Sequence, residues 1–204
     1  MAKQQVIVVE TGHLLKQEIA EGESLSLVAL VLPEASDAVI DLSVQVKMGG
    51  PNSQFELHAL ALAAEKQKVN VRVDVEHPCP DAHSNQLIRC VAGGESRIVF
   101  DGLIKVQPGA IRTEALQTSN NLLLSERAKV RTCPQLEIYA DDVKCSHGAT
   151  TGSLDEDEQF YMRSRGITLE QARLLQLRSF ICRFSNRLRM NPCSHLATNR
   201  SAGR

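Results

Sequence analysis

The sequence predicts a mainly β chain folded as a β-solenoid and followed by a small helical segment. Short runs in which polar and apolar residues alternate cover roughly the first 143 residues. Aromatic residues make up 3% of the 204 residues and Trp is absent, which is typical of a core built from thin repeated layers. The runs also recur at nearly constant intervals, since Val39, Val69, Ile98 and Val130 are 30, 29 and 32 residues apart.

Six runs show the strand pattern most clearly. They are rich in Val, Leu and Ile and are bounded by segments such as KMGGPNS and AGGES, whose Gly, Pro and Asn residues favour tight turns. A period near 30 with two strands per cycle favours stacked β coils. An antiparallel sandwich is the alternative, because it also consists of short strands. The runs are Leu25–Leu32, Val39–Val46, Phe55–Ala63, Val69–Val75, Leu87–Val91 and Ile98–Val106.

The character of the chain changes at about residue 150. We therefore expect a β core over residues 1–150 and a helical segment with a basic tail over residues 151–204. Ser153 and Glu156 fit a capping box, and the acidic run that follows favours a helix N-terminus because of the helix dipole. This pattern predicts a first helix that ends near Arg165.

A second, longer helix is expected after Gly166, which is a natural helix stop. Thr168 and Gln171 form another capping box at its start, and Pro192 is expected to end it. Residues 178–204 carry Arg but no Lys and no acidic residue, which is typical of a solvated tail. The apolar stripe of this helix consists of Leu174, Leu177, Ile181, Phe184 and Leu188.

Composition excludes several classes of protein. A net charge of -1 gives no overall electrostatic attraction to nucleic acid or to an anionic membrane. No apolar run reaches the length of about 20 residues that a membrane span needs, and the first residues lack a signal-peptide pattern, so we expect a cytoplasmic protein. The six Cys include no closely spaced pair, and we expect them to be thiols or ligands rather than disulfides.

The most informative segment for chemistry is QLEIYADDVKCSHGATTG, residues 135–152. In an extended strand, Cys145 and His147 lie on the same side. A thiolate beside an imidazole can bind iron or zinc, but two ligands are too few for a closed site, and a strand end with a half-buried Cys and a surface His is the alternative. His77, Cys79 and His83 form a second cluster, which we interpret as a connection between strands.

The segment from about Phe100 to Phe180 resembles the C-terminal half of the SufB/SufD family of iron–sulfur cluster assembly proteins. The resemblance is carried by PQLEIYADDVKCSHGATTG and FYMRSRGI, and the Gly after His147 is typical of the SufD branch. It implies a right-handed parallel β-helix with a small C-terminal helical domain. Family members usually carry a helical N-terminal domain before the β-helix, and here the strand pattern begins within the first ten residues, so we expect that domain to be absent.

The resemblance also implies a function. SufD-like proteins are non-catalytic scaffolds that pair with a SufB-like subunit and receive a SufC-like ATPase of the ABC type, and this chain alone is also compatible with a homodimer. His147, with Cys145 beside it, matches the branch's interface site, where an iron–sulfur cluster is held transiently and shared with the partner. Neither nucleic acid nor membrane is an expected partner. The ATPase contact is expected on the helices, at Gly166, Ile167, Ala172, Leu174, Leu177 and Phe180.

Two other functions are compatible with a β-solenoid. A carbohydrate-active solenoid needs a groove with several catalytic side chains and usually aromatic platforms, and this chain has no Trp and only two Tyr. A stand-alone interaction module would use the same coils without any role in cluster assembly.

Overall fold

The β core is a parallel solenoid. In residues 2–185, which the computed structural model describes, eleven strands are followed by two helices. Every strand pair is parallel, and this excludes the antiparallel sandwich and confirms the predicted mainly β solenoid. The strands are β1 (Ala2–Val9), β2 (His13–Ile19), β3 (Ser24–Val31), β4 (Val39–Met48), β5 (Gln54–Ala63), β6 (Lys68–His77), β7 (His83–Ala92), β8 (Arg97–Val106), β9 (Glu114–Leu123), β10 (Lys129–Ile138) and β11 (Lys144–Ser153).

The chain alternates between two sheets. One sheet has the order β1-β3-β5-β7-β9-β11 and the other has the order β10-β8-β6-β4-β2. Each residue therefore pairs with the residue one coil later, as Leu27 does with Leu57 and Leu57 with Gln86. The result is a set of columns, in which side chains from successive coils stack at the strand spacing of about 4.8 Å.

The core lies between the two sheets. Strand β6 illustrates why the sequence forms it, because Val69, Val71, Val73 and Val75 point inward and are buried while the residues between them face outward. The space between the sheets is narrow, so Val, Leu, Ile and Ala fill most of it. Phe55 and Phe100 are the two Phe side chains among the buried hydrophobic residues of the described chain, and this sparing use of large rings explains the low aromatic content.

Residues with a left-handed backbone conformation lie at the corners of the solenoid and hold β11 in place. Asn52, Asp81, Arg112 and Asp142 occupy equivalent corners, and their φ angles lie between 52° and 58°. The Arg112 guanidinium donates two hydrogen bonds to the Asp81 carboxylate, at 2.6 and 2.7 Å. The Arg112 N–H then donates to the carbonyl of Asp142 at 2.7 Å, so the turn that starts β11 is fixed to the coil before it.

Two helices follow the solenoid, α1 (Glu156–Ser164) and α2 (Leu169–Ser185). The predicted cap of α1 is wrong: Ser153 is the last residue of β11, and Asp155 caps the helix by accepting a hydrogen bond from the Glu158 N–H at 2.9 Å. An aspartate at this position satisfies a free N–H and adds favourable charge to the helix dipole, so it outcompetes a serine two residues earlier.

The predicted start of α2 is confirmed. Thr168 Oγ1 accepts from the Gln171 N–H at 3.2 Å, and Gln171 Oε1 accepts from the Thr168 N–H at 3.1 Å. Gly166 ends the preceding turn with a φ of 87°, a conformation that favours glycine. The predicted stop at Pro192, the end of the apolar stripe and the Arg-containing tail lie outside the residues that the structure describes.

The chain divides into two compact units, Met1–Ser153 and Leu154–Arg204. Within the helical unit, Gln176 Nε2 donates to the Asp155 carbonyl at 2.9 Å and to Glu158 Oε2 at 2.8 Å, which ties α2 to the start of α1. Neither of the two helices in residues 2–185 has the length and apolar character needed to span a membrane.

Candidate functional site

Strand β11 carries the two predicted ligands at the end of the solenoid. Cys145 pairs with Ala115 of β9, and His147 pairs with Gln117. Ala115 and Gln117 are both buried inward-facing residues, with exposures of 0% and 1%. Because columns preserve the facing of side chains, Cys145 and His147 share the inward side of the last coil. The strand period predicted only that the two side chains lie on the same side.

Cross-strand contacts fix the register of β11. Lys144 Nζ lies 2.7 Å from Glu114 Oε1, and Thr150 Oγ1 donates to Asn120 Oδ1 at 2.9 Å. Asn121, which is buried, donates from Nδ2 to the Thr150 carbonyl at 3.0 Å. A slip of one residue would turn Cys145 outward, so these contacts also determine which side chains of β11 face the interior.

The Cys145 thiol lies at the edge of a small apolar cluster. It packs against a group formed by Ile104, Val106, Ala110 and Ala115, and its side chain is half-buried. This partial burial raises the pKa of the Cys145 thiol above its ordinary value, and a backbone hydrogen bond involving Ala115 offsets part of the effect. The thiol is therefore held protonated at neutral pH until a cation or a partner group favours the thiolate.

His147 is exposed, in contrast to its neighbour in the column. The residue that follows it, Gly148, has nothing within 4 Å of the position that a Cβ would occupy, and the same is true of Gly152. The backbone around His147 is thus open to close approach by another chain. An imidazole and a thiol that share one face and remain accessible make a donor pair suited to iron or zinc.

Two ligands do not make a closed metal site. Among the residues described, 2–185, there is no group of three or more His, Cys, Asp or Glu side chains arranged to hold a metal ion. The second cluster considered from the sequence is dispersed by the fold. His77 is fully buried and lies 3.0 Å from Ser84 Oγ, while His83 is exposed and faces Glu114 at 3.6 Å.

The remaining cysteines in residues 2–185 occupy different environments. Cys90 is fully buried in the core, and burial raises the pKa of its thiol to about 12. Cys133 is half-buried on β10, where Arg131 Nε donates to its sulfur at 3.3 Å. Cys79 and Cys182 are also half-buried thiols. None of the four lies in register with Cys145 or His147 on β11.

The predicted docking residues of the helical unit differ in exposure. Ala172 is fully buried, Leu174 is 45% exposed, and Ile167, Leu177 and Phe180 are half-buried. Gly166 forms the turn between the helices. Phe160 and Tyr161 of α1, whose side chains are 73% and 60% exposed, were not predicted as contact residues. Two adjacent aromatic residues on a charged helix were the available signal, since exposed rings often mark contact surfaces.

A polar inner layer was also missed. Gln86 and Gln117 point into the solenoid and are buried, and Gln117 Nε2 donates to Gln86 Oε1 at 2.6 Å. In an alternating strand pattern a Gln is expected to face solvent, so the pattern alone could not identify Gln86 and Gln117 as inward-facing residues. Alignment of the 30-residue repeats would have placed both in the column of Leu27 and Leu57.

Comparison with known proteins gives a consistent result. Residues 10–180 match the sequence profile of the SUF system FeS cluster assembly, SufBD core domain. The iron–sulfur cluster assembly protein SufD of Escherichia coli is 40% identical over 152 residues, which is 74% of this chain and 36% of that protein. The chloroplastic protein ABCI7 of Arabidopsis thaliana is 40% identical over 201 residues, covering 89% of this chain and 42% of that protein.

A SufBD family protein of Synechocystis is 32% identical over 183 residues, and the match covers 84% of this chain and 40% of that protein. The chain therefore spans less than half the length of each of these three relatives.

Proposed function

The chain belongs to the SufD branch of the SufB/SufD family of iron–sulfur cluster assembly proteins, and on that premise we propose that it is a non-catalytic cytoplasmic scaffold that pairs with a SufB-like subunit. The observation that carries this proposal is the position of Cys145 and His147 on the inward side of the last coil. They supply two donors where an iron–sulfur cluster needs about four ligands. The partner subunit supplies the others, and the cluster is cargo that the pair assembles and releases.

The edges of the last coil support pairing through strands. Strands β10 and β11 end the two sheets, and within residues 2–185 no strand pairs with their outer edges. Such edges offer rows of backbone N–H and C=O groups to a further strand. A SufB-like solenoid that stacks on this end continues both sheets and places its own ligands opposite Cys145 and His147. Without that subunit, a second copy of the chain is the proposed occupant.

The helical unit is the proposed site for a SufC-like ATPase. Leu174, Phe160 and Tyr161 expose apolar surface, and the Arg165 guanidinium lies 5.3 Å from the centre of the Tyr161 ring. Aromatic and Arg side chains of this kind are common at the centres of protein interfaces. Ala172 is buried and therefore supports the helix pair rather than the contact surface. In this proposal ATP hydrolysis belongs to the partner.

Co-expression with cognate SufB-like and SufC-like proteins tests the assembly. The wild-type chain is expected to co-purify with both, and Leu174→Asp is expected to lose the ATPase subunit while it keeps the SufB-like one. A chain that folds, as judged by circular dichroism, but that binds neither protein would contradict the proposal.

The cluster site needs a separate experiment in the same complex. His147→Ala is expected to leave the complex intact and to abolish the iron and sulfide that it acquires, whereas His13→Ala removes another exposed histidine at the opposite end of the solenoid and is expected to have no effect. Equal cluster loading in the His147→Ala complex would show that this side chain does not hold the cargo.

A further inference from the structure

One inward column of the solenoid changes from apolar to polar toward the end of the chain. It starts with Leu27 and Leu57, which are fully buried, and continues with Gln86 and Gln117, which are buried to the same extent. The next residue in the column is His147. Two leucines in the earlier coils show that an apolar side chain fits this column, so the two amides are not required by the packing of the solenoid.

The amides form a hydrogen-bonded ladder with a direction. Gln117 Nε2 donates to Gln86 Oε1 at 2.6 Å, and this donation points toward the earlier coils. Gln117 Oε1 is buried and has no hydrogen-bond partner in the part of the chain that the structure describes. Because the amide nitrogen of Gln117 faces Gln86, the amide oxygen is on the side of the next residue in the column. That residue is His147, about 4.8 Å further along. A buried acceptor without a donor needs an explanation.

The opposite sheet provides the space for this acceptor. Gly102 of β8 lies across the interior, and a methyl group at its Cβ position would overlap the carboxamide oxygen of Gln117. Other members of the Gly102 column are Leu15, Val44 and Val73, which fill the interior in the earlier coils. The glycine therefore occurs in the coil where the Gln117 amide extends across the interior. Gly102 thus leaves the space that the Gln117 amide occupies, one rung before His147.

We propose that Gln117 is a positioning residue for His147, whose ring N–H turns inward and donates to Gln117 Oε1. This hydrogen bond fixes one tautomer of the imidazole and leaves the lone pair of the other ring nitrogen directed out of the coil end. The use of that second nitrogen as a cluster ligand rests on the proposed function, but the hydrogen bond itself does not. Two other buried atoms of this region lack a partner among the described residues, Gln86 Nε2 at the far end of the amide pair and Thr132 Oγ1 on β10. The Thr132 hydroxyl is the alternative donor that the test must separate from His147.

The test measures the tautomer of His147 in the full chain, without cluster or partner. Long-range nitrogen–proton NMR spectra at a pH above the imidazole range are expected to show one protonated and one unprotonated ring nitrogen for His147. Gln117→Leu, which extends the leucine column, is expected to bring both nitrogens to the averaged positions of the exposed His13. Gly102→Ala is expected to do the same, because its methyl group displaces the amide while Gln117 remains.

Thr132→Val is the matched control, because it removes a neighbouring polar atom without a change of shape, and it is expected to leave the His147 signals unchanged. The proposal is overturned if wild-type His147 shows averaged signals, if Gln117→Leu leaves a fixed tautomer, or if Thr132→Val abolishes it. This readout requires no cluster, so its failure leaves the proposed function standing. Conversely, a complex that fails to assemble a cluster would not contradict the proposed hydrogen bond.

Discussion

The buried His77 gives the solenoid a specific sensitivity to acid. Its side chain is fully buried at the end of β6, and its Nε2 lies 3.0 Å from Ser84 Oγ. Burial is the main cause that lowers the pKa of His77 from 6.5 to about 4, and the nearby His83 lowers it further. The imidazole is therefore neutral in the folded chain over a pH range in which it is protonated in the unfolded chain.

The sign of the effect follows from proton binding. Between pH 6.5 and about 4 the unfolded state binds the proton and the folded state does not, so the free energy of unfolding falls as the pH falls. This loss of unfolding free energy is absent above pH 6.5 and grows as the pH falls. It is complete below pH 4, where it totals about 3 kcal/mol. Between pH 7 and pH 5 the loss from this residue is about 2 kcal/mol.

Urea unfolding followed by circular dichroism at pH 7, 6 and 5 measures this loss, since the chain has no Trp for fluorescence. The matched variant is His77→Leu with Ser84→Ala, because Ala115 of the same column shows that alanine fits the Ser84 position and no hydroxyl is left without a partner. The variant is expected to lose about 2 kcal/mol less than the wild type over this range. An equal fall in the free energy of unfolding of the wild type and the variant between pH 7 and pH 5 would refute the reasoning.

Three further predictions concern stability. Phe100→Ala is expected to lower the free energy of unfolding by about 4 kcal/mol, because Phe100 is fully buried. Phe160→Ala, at an exposed position, should change it by less than about 0.5 kcal/mol. Similar losses for the two variants in urea unfolding would contradict the assigned burial. Thr168→Ala is expected to destabilise α2 by about 1 kcal/mol, seen as earlier thermal loss of helical circular dichroism, and an unchanged profile would argue against the capping box. Gly94→Ala is expected to lower the free energy of unfolding by about 2 kcal/mol or more, because φ is 64° and the new methyl group meets the Glu65 backbone. Gly109→Ala, which places its methyl group in open space, should lower it by about 1 kcal/mol. Equal losses in urea unfolding would contradict the clash at Gly94.

Strand alternation made most of the β core predictable. All six predicted runs fall in observed strands, except that Leu32 follows the end of β3. They were recognisable because inward Val, Leu and Ile alternate with outward polar residues there. Strand β9, EALQTSNNLL, was not among the clear runs. Its inward positions carry polar residues that the fold buries and hydrogen-bonds, so alternation gave no signal. Such polar interiors depend on contacts between coils that single-strand patterns do not contain.

The candidate site was predictable in part for the same reason. Strand period alone placed Cys145 and His147 on one side of the chain, and the register adds that this side faces inward, which the sequence did not indicate. The role of Gln117 was not predictable, because it requires both the column alignment and the gap at Gly102. The cap of α1 shows the limit of local rules, since Ser153 and Asp155 both fit a helix start and only the length of β11 decides between them.

The coil register also restricts how a chain of this kind can change length during evolution. A single inserted residue within a strand exchanges inward and outward side chains for the rest of that strand, so its apolar residues become exposed. Insertion or removal of a whole coil of about 30 residues keeps every column intact, because each coil contacts only its neighbours. Length differences among related solenoids should therefore fall at the corners or come in whole coils, and the last coil, with its paired Cys145 and His147, can be carried by stacks of different heights.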